Sequence, residues 1–244
     1  MTEFAIAYDV PDLAAAVALD ERLGQGPEIA KIGLELFAAE GPEAVRALTA
    51  RGRRVFLDLK LHDIPNTVRG AARSAARLGA ELLTVHAFGG GAMIAAAVAG
   101  AREGSRERPG PETRIVAVTL LTSLDVRDLP PGFERPFSAD LVLPLLVDLA
   151  EASGALGVVC AAPDLPGLRA QLRRPFYAVT PGIRPSGGER NDQARVATIT
   201  EAVRLGSSLL VLGRAVTGEL DPAAALAAAR RERDAAIESS KAPS

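Results

Sequence analysis

The chain carries one cysteine, Cys160, and two histidines. A lone thiol cannot build an internal disulfide framework, and this usage suits a reducing cytoplasm, the location expected here. So few His and Cys residues also argue against a zinc site of the His/Cys type. Cys160 closes the apolar run Gly157-Val158-Val159-Cys160 and reads as a small core residue. Neither sign of charge is in excess. Lys and Arg number 28 against 30 Asp and Glu, a net charge of −2. That balance gives no electrostatic basis for a nucleic-acid or anionic-membrane partner. A small anionic ligand would need a local basic site instead. No apolar run approaches the roughly 18 residues of a membrane span. Met1-Thr2-Glu3-Phe4 has no basic region ahead of an apolar one, so no secretory signal is expected.

What is present is alternation. Short apolar runs begin near Phe4, Ile29, Arg54, Leu82, Arg114, Gly157, Tyr177 and Leu209. Each is followed by a stretch of helical character. The clearest are Asp12 to Leu23, Asn66 to Leu78, Ala92 to Arg102, Asp140 to Ala152 and Pro222 to Ile237. Many are rich in alanine, the strongest helix former. Several stop at glycine, as at Gly24, Gly79, Gly154 and Gly206, the usual C-terminal punctuation. Alternating strand–helix units imply a parallel sheet. Eight of them in 244 residues predict an α/β fold, a single-domain (β/α)₈ TIM barrel, over residues 1–238. Ser239 to Ser244 is expected to fray. The rival architecture is a doubly wound open sheet. The first strand, Phe4 to Val10, lacks the Gly-x-Gly-x-x-Gly turn of its dinucleotide-binding version. The longest loops follow the fifth strand (Ser123 to Ala139) and the seventh (Arg184 to Gln193).

The run Val55 to Thr67 opens as a strand and ends in a turn into a helix. Side chains alternate faces along a strand, so Val55, Leu57, Leu59 and Leu61 share one face. Asp58, Lys60 and His62 share the other, and Asp63 follows at the strand end. Two carboxylates and an ammonium this close together are costly to bury unless paired. Polar residues recur at the ends of the other strands, where barrels collect functional groups. They are Asp9, Lys31, His86, Thr119 and Thr122-Ser123, Thr180 to Arg184, and Gly213-Arg214. Each also has a plain structural reading. Asp9 could cap a helix, Lys31 could snorkel outward, and His86 could be a hydrogen-bonded structural histidine. Thr122 and Ser123 could begin a turn, Arg184 could be an exposed loop residue, and the Asp58/Lys60/Asp63 group could be a structural ion network. Their coincidence at one barrel end favours function.

Gly213-Arg214 has a specific use. Glycine lets a ligand approach the backbone, a helix-start N–H holds a phosphate oxygen, and arginine binds phosphate with a fork of donors. A phosphorylated small substrate is therefore expected. A buried lysine tends toward neutrality, a tendency that two flanking carboxylates are expected to oppose at Lys60. A cationic lysine can stabilise a developing carbanion and then protonate it. At about 4 Å and an effective dielectric near 20, one such pair contributes roughly 4 kcal/mol. That is about three orders of magnitude in rate if felt only in the transition state. Binding energy from a remote phosphate is the natural source of the rest, and the scheme needs no metal.

The run Asp58-Leu59-Lys60-Leu61-His62-Asp63-Ile64-Pro65-Asn66-Thr67 resembles the signature of the orotidine 5′-phosphate decarboxylase family in its bacterial form. The resemblance extends in order along nearly the whole chain. It includes Lys31 to Phe37, Val118 to Ser123, Thr180 to Arg184 with Asn191 to Val196, and Val211 to Arg214. It implies a (β/α)₈ barrel that converts orotidine 5′-phosphate to uridine 5′-phosphate and CO₂, with no metal and no organic cofactor. It also implies roles for residues. Lys60 would donate a proton to C6 of the pyrimidine. Asp58 would sit beside the substrate carboxylate, and Lys31 would bridge Asp58 and the ribose. Asp9 would bind a ribose hydroxyl, and Thr122, in preference to Thr119, would touch the pyrimidine edge. Arg184, Gln193, Gly213 and Arg214 would hold the phosphate. Asp63 and Thr67 would reach into a partner's site, so a homodimer is implied. Two positions depart from the family pattern: Ile199 stands where proline is frequent, and Ser207-Ser208 where a Gly/Ala-rich, Asp-containing turn is common.

Two other readings stay open on sequence. A related barrel that decarboxylates or condenses sugar phosphates shares Asp-x-Lys-x-x-Asp but usually uses Mg²⁺. The continuation Ile64-Pro65-Asn66-Thr67 and Gln193 speak against it. A non-catalytic barrel that binds a nucleotide is the other, and the intact Asp58/Lys60/Asp63 set speaks against that.

Overall fold

Each apolar run expected to be a strand is one, beginning within two residues of the expected position. The computed structural model describes residues 2–26, 28–122, 139–184 and 197–240. In chain order the elements are β1 (Glu3–Ala7), α1 (Leu13–Leu23), β2 (Ile29–Ile32), α2 (Leu34–Glu40) and α3 (Pro42–Ala50). Then come β3 (Arg54–Leu61), α4 (Pro65–Arg77), β4 (Ala80–His86), α5 (Gly90–Ser105) and β5 (Arg114–Val118). The second half holds α6 (Ala139–Ala152), β6 (Gly157–Val159), α7 (Leu165–Leu172), β7 (Tyr177–Thr180), β8 (Ile183–Arg184) and β9 (Ala197–Thr198). It ends with α8 (Ile199–Arg204), β10 (Leu209–Leu212), α9 (Arg214–Thr217) and α10 (Pro222–Ser239). Eight strands close into a barrel in the order β1-β10-β7-β6-β5-β4-β3-β2, and every pairing is parallel. The pair β8–β9 stands outside it and flanks residues 185–196, which lie outside the described residues.

The period-two pattern sorts the core into two layers. Ala5, Ile29, Phe56, Leu82, Val116, Val179 and Leu209 form one cluster and fill the barrel. Their neighbours Phe4, Ile6, Val55, Leu57, Leu83, Ile115, Leu210 and Leu212 belong to the larger cluster shared with the helices. A packed interior leaves space for a ligand only above it, at the strand ends.

Local signals explain the helices. Asp12 accepts a hydrogen bond from the Ala15 N–H at 2.8 Å and so caps α1. Thr198 and Glu201 form a reciprocal capping box on α8, with Ile199 buried as its first residue. Helices α4 and α5 approach closely through two glycines. A Cβ at Gly100 would meet the Arg69 carbonyl at 2.1 Å, and one at Gly104 the Arg73 carbonyl at 2.2 Å. Of the tail expected to fray, Ser239 closes the last helix, and residues 241–244 lie outside the described residues. Helix α10 runs through Ser239, with the Ser240 backbone N–H donating to the Ala236 carbonyl and the Ser239 and Ser240 hydroxyls donating to the Ala235 and Ala236 carbonyls. Among the described residues, no helix is long and apolar enough to cross a membrane.

A buried ion network ties β1 to its neighbours. The Asp20 carboxylate on α1 accepts from Tyr8 Oη (2.8 Å), Arg51 Nε (2.6 Å) and Arg53 Nε (2.6 Å). Burial alone would raise the Asp20 carboxyl, but hydrogen bonds from Arg51, Tyr8 and Arg53 together hold it below its ordinary range. Burial, reinforced by Asp20, pushes the Tyr8 phenol up.

Candidate active site

A cavity of about 550 Å³ opens at the C-terminal end of the barrel. Its apolar lining includes Ala7, Phe56, Val118, Val159, Val179 and Val211, part of it the upper surface of the packed interior. Around the rim, barrel order sets the sequence of polar groups. Asp9 follows β1, Lys31 stands on β2, and Asp58 and Lys60 on β3. On the other side of β1 come Gly213-Arg214 after β10 and Arg184 after β7, with Thr122 further round after β5.

The first four form a chain of alternating charge. Lys31 Nζ lies 3.0 Å from Asp9 Oδ1 and 3.8 Å from Asp58 Oδ2. Lys60 Nζ lies 2.8 Å from Asp58 Oδ2. Lys31 and Lys60 are the only lysines among the described residues. Gly33 permits the first link, since a Cβ there would sit 2.8 Å from Asp9 Oδ1 and 3.0 Å from Lys31 Nζ.

Through Lys60 the faces of β3 follow the expected alternation, but His62, expected on the face of Asp58 and Lys60, lies beyond the strand and does not line the cavity. Val55, Leu57, Leu59 and Leu61 pack toward the helices, while Phe56, Asp58 and Lys60 line the cavity. The backbone does not stay regular, however. Pairing with β4 passes from Leu57↔Leu83 to Leu61↔Val85, so β3 carries two extra residues. Lys60 takes φ = 49°, in the left-handed region. Such irregularities re-aim side chains beside active sites.

Asp63 and Thr67 are exposed and do not line the cavity. The Asp63 side chain accepts from the Ile64 N–H at 2.6 Å, just before α4. Gln193 lies outside the described residues. Thr122 lines the cavity, whereas Thr119 is buried and donates to the Val159 carbonyl at 2.8 Å. His86 stands off the cavity, its ring stacked on His62 with centroids 5.5 Å apart. Burial, then the His62 and Lys60 charges, lower its basicity. Ser207, one of the two departures, is buried and donates to Thr180 Oγ1 at 2.7 Å. Sequence reasoning missed Glu35, which lines the cavity, and Thr84, which hydrogen-bonds Asp58. Among the described residues, no three His, Cys, Asp or Glu side chains converge as a metal site.

Two features bear on an anion. Arg184 Nε is buried and has no hydrogen-bond partner among the described residues, and a buried guanidinium N–H is ordinarily satisfied. Among the described residues, a Cβ at Gly213 would meet only Ala7 Cβ, at 3.9 Å. The packing of the described residues therefore leaves room there for a ligand to approach.

A closed (β/α)₈ barrel with an alternating carboxylate–ammonium chain and two arginines around one rim cavity defines a barrel enzyme for a small anionic molecule. Its family follows from comparison. The model of the orotidine 5′-phosphate decarboxylase / HUMPS family matches residues 2–229, and the chain belongs to that family. A protein of Anaeromyxobacter sp. (strain K) named orotidine 5′-phosphate decarboxylase is 51% identical over 220 residues, covering 90% of this chain and 92% of that protein. One of the same name from Moorella thermoacetica is 48% identical over 229 residues, covering 93% and 90%. The crystal structure of orotidine 5′-phosphate decarboxylase from Lactobacillus acidophilus superposes with a TM-score of 0.83. It is 34% identical and covers 96% of this chain and 100% of that one.

Proposed function

We propose that this protein decarboxylates orotidine 5′-phosphate to uridine 5′-phosphate and CO₂, the last step of pyrimidine synthesis de novo. The observation that carries the reading is the chain Asp9–Lys31–Asp58–Lys60 on the same cavity as Arg184 and Arg214. Relatives of that name at about half identity support it over a sugar-phosphate relative.

The phosphate would sit between Arg184, Gly213 and Arg214, with Gln193, which lies outside the described residues, as a further donor. Charge-assisted donors there supply binding energy remote from the reacting carbon. Asp9 and Lys31 would hold the ribose hydroxyls, and Thr122 the pyrimidine edge. Asp58 beside the substrate carboxylate would raise the ground state relative to the transition state. The bond from C6 to the carboxylate breaks, CO₂ leaves, and the electron pair stays on C6. Lys60 stabilises that carbanion and gives it a proton, and the neutral amine then regains one from solvent. Preorganised charge of this kind costs no reorganisation when the reaction occurs.

Asp63 and Thr67 lie outside the cavity at the start of α4, beside the exposed Ile64. That placement supports their completing the site of a second copy in a homodimer. Neither nucleic acid nor membrane enters this reading, and a cytoplasmic location accompanies a biosynthetic role.

The test is direct. Purified protein mixed with orotidine 5′-phosphate should change its ultraviolet absorbance as uridine 5′-phosphate forms, with or without a chelator. Unchanged absorbance with folded protein would sink the assignment. Activity lost to the chelator and restored by Mg²⁺ would favour the metal-using sugar-phosphate relative.

A further inference from the structure

We propose that Thr84 is a positioning residue that holds Asp58 and Lys60 in their reactive arrangement, an inference that rests on the decarboxylase reading. Thr84 is fully buried in the middle of β4. It is the one β4 residue between the paired positions Leu83 and Val85, opposite the three β3 residues Asp58, Leu59 and Lys60. The regular ladder fails over that interval, and the Thr84 hydroxyl takes its place. Oγ1 accepts from the Lys60 backbone N–H at 2.8 Å and donates to Asp58 Oδ1 at 2.9 Å.

Both contacts act on the reacting groups. The first satisfies a backbone N–H at the residue with φ = 49°, where an L-residue stays only if its surroundings hold it. The second fixes one oxygen of Asp58. The other, Oδ2, is thereby left to face Lys60 at 2.8 Å and Lys31 at 3.8 Å. One hydroxyl thus sets both the carboxylate's rotation and the origin of the lysine side chain. Valine has threonine's shape without the hydroxyl, so it can make neither bond, whereas serine can make both.

Thr84→Val is expected to lower kcat about 100-fold, the cost of misplacing a catalytic group by about 1 Å. KM should change little, because Thr84 does not line the cavity. Thr84→Ser should turn over near the wild-type rate, and Thr84→Ala carries the same test if valine prevents folding. A Val variant with wild-type kcat, or a Ser variant as impaired as the Val variant, would overturn the proposal. So would a rise in KM at constant kcat. A crystal structure of Thr84→Val separates this inference from the reaction itself. Lys60 should leave the left-handed region and its Nζ should move away from Asp58. Unchanged positions of both would refute the positioning role whatever the substrate. Wild-type protein inert toward orotidine 5′-phosphate would refute the reaction, and the same crystal structure would then decide for or against Thr84.

Discussion

Replacing Lys60 by glycine and, separately, by alanine divides its chemistry from its backbone. Both variants lose the ammonium 2.8 Å from Asp58. That partly exposed pair contributes at most about 1 kcal/mol to stability, and both variants lose it alike. They differ in the left-handed backbone at φ = 49°. Alanine pays roughly 1–2 kcal/mol there. Glycine does not, although its freer unfolded chain returns part of the difference. The glycine variant should therefore be more stable than the alanine variant by about 1 kcal/mol. In a chain of this size that corresponds to about 2–4 °C in melting temperature, which circular dichroism resolves. Both variants should turn over at least about a thousandfold slower, from the loss of one close charge pair worth roughly 4 kcal/mol. Loss of the proposed proton donor should lower the rate further. An alanine variant as stable as the glycine variant would show that residue 60 is not held in the left-handed region. Turnover near the wild-type rate in either would refute the proton-donor role.

Asp20→Asn removes the carboxylate shared by Tyr8, Arg51 and Arg53, leaving the buried Arg53 without its anion, and should cost about 3–5 kcal/mol in denaturant unfolding. Because the folded Asp20 carboxyl is held low, its contribution is present above the unfolded value of about 3.9 and is lost as pH falls below that. The Asn variant should accordingly show a shallower acid transition, and an identical one would refute the assignment. His86 has a folded basicity lowered by burial, His62 and Lys60. As pH falls through about 6.5, the unfolded chain binds its proton first, and stability should drop. Unfolding titrations at neutral and mildly acidic pH should show that His86→Gln loses part of this dependence, and an equal slope in the variant would exclude His86 as its source.

The barrel was legible because its signals are local. Strand alternation, alanine-rich helices and glycine stops at Gly24, Gly79, Gly154 and Gly206, all with positive φ, each depend on a few neighbouring residues. The charged rim was legible for a different reason. Asp58 and Lys60 violate an apolar strand, and such violations stand out. Thr84 does not. A β-branched residue inside Leu82-Leu83-Thr84-Val85 looks like ordinary strand propensity, and only the irregular register of β3 gives its hydroxyl two partners. Asp20 was hidden in the same way, since Arg53 stands 33 residues away in sequence. The left-handed turn at Lys60 carries no marker, because glycine is absent just where it would be expected.

The rim charges also obey an order that distinguishes support from reactivity. The two inner members, Lys31 and Asp58, have side chains only 9% and 14% exposed, and each lies between two groups of opposite charge. The outer members, Asp9 and Lys60, are 55% and 32% exposed and have one such neighbour each among the described residues. Burial is tolerated where pairing is double, because desolvating an ion is offset only by close opposite charge. The ends of the chain remain accessible to a ligand while the middle holds them in place. Lys60, the proposed proton donor, stands at such an end, partly exposed yet fixed by a buried carboxylate.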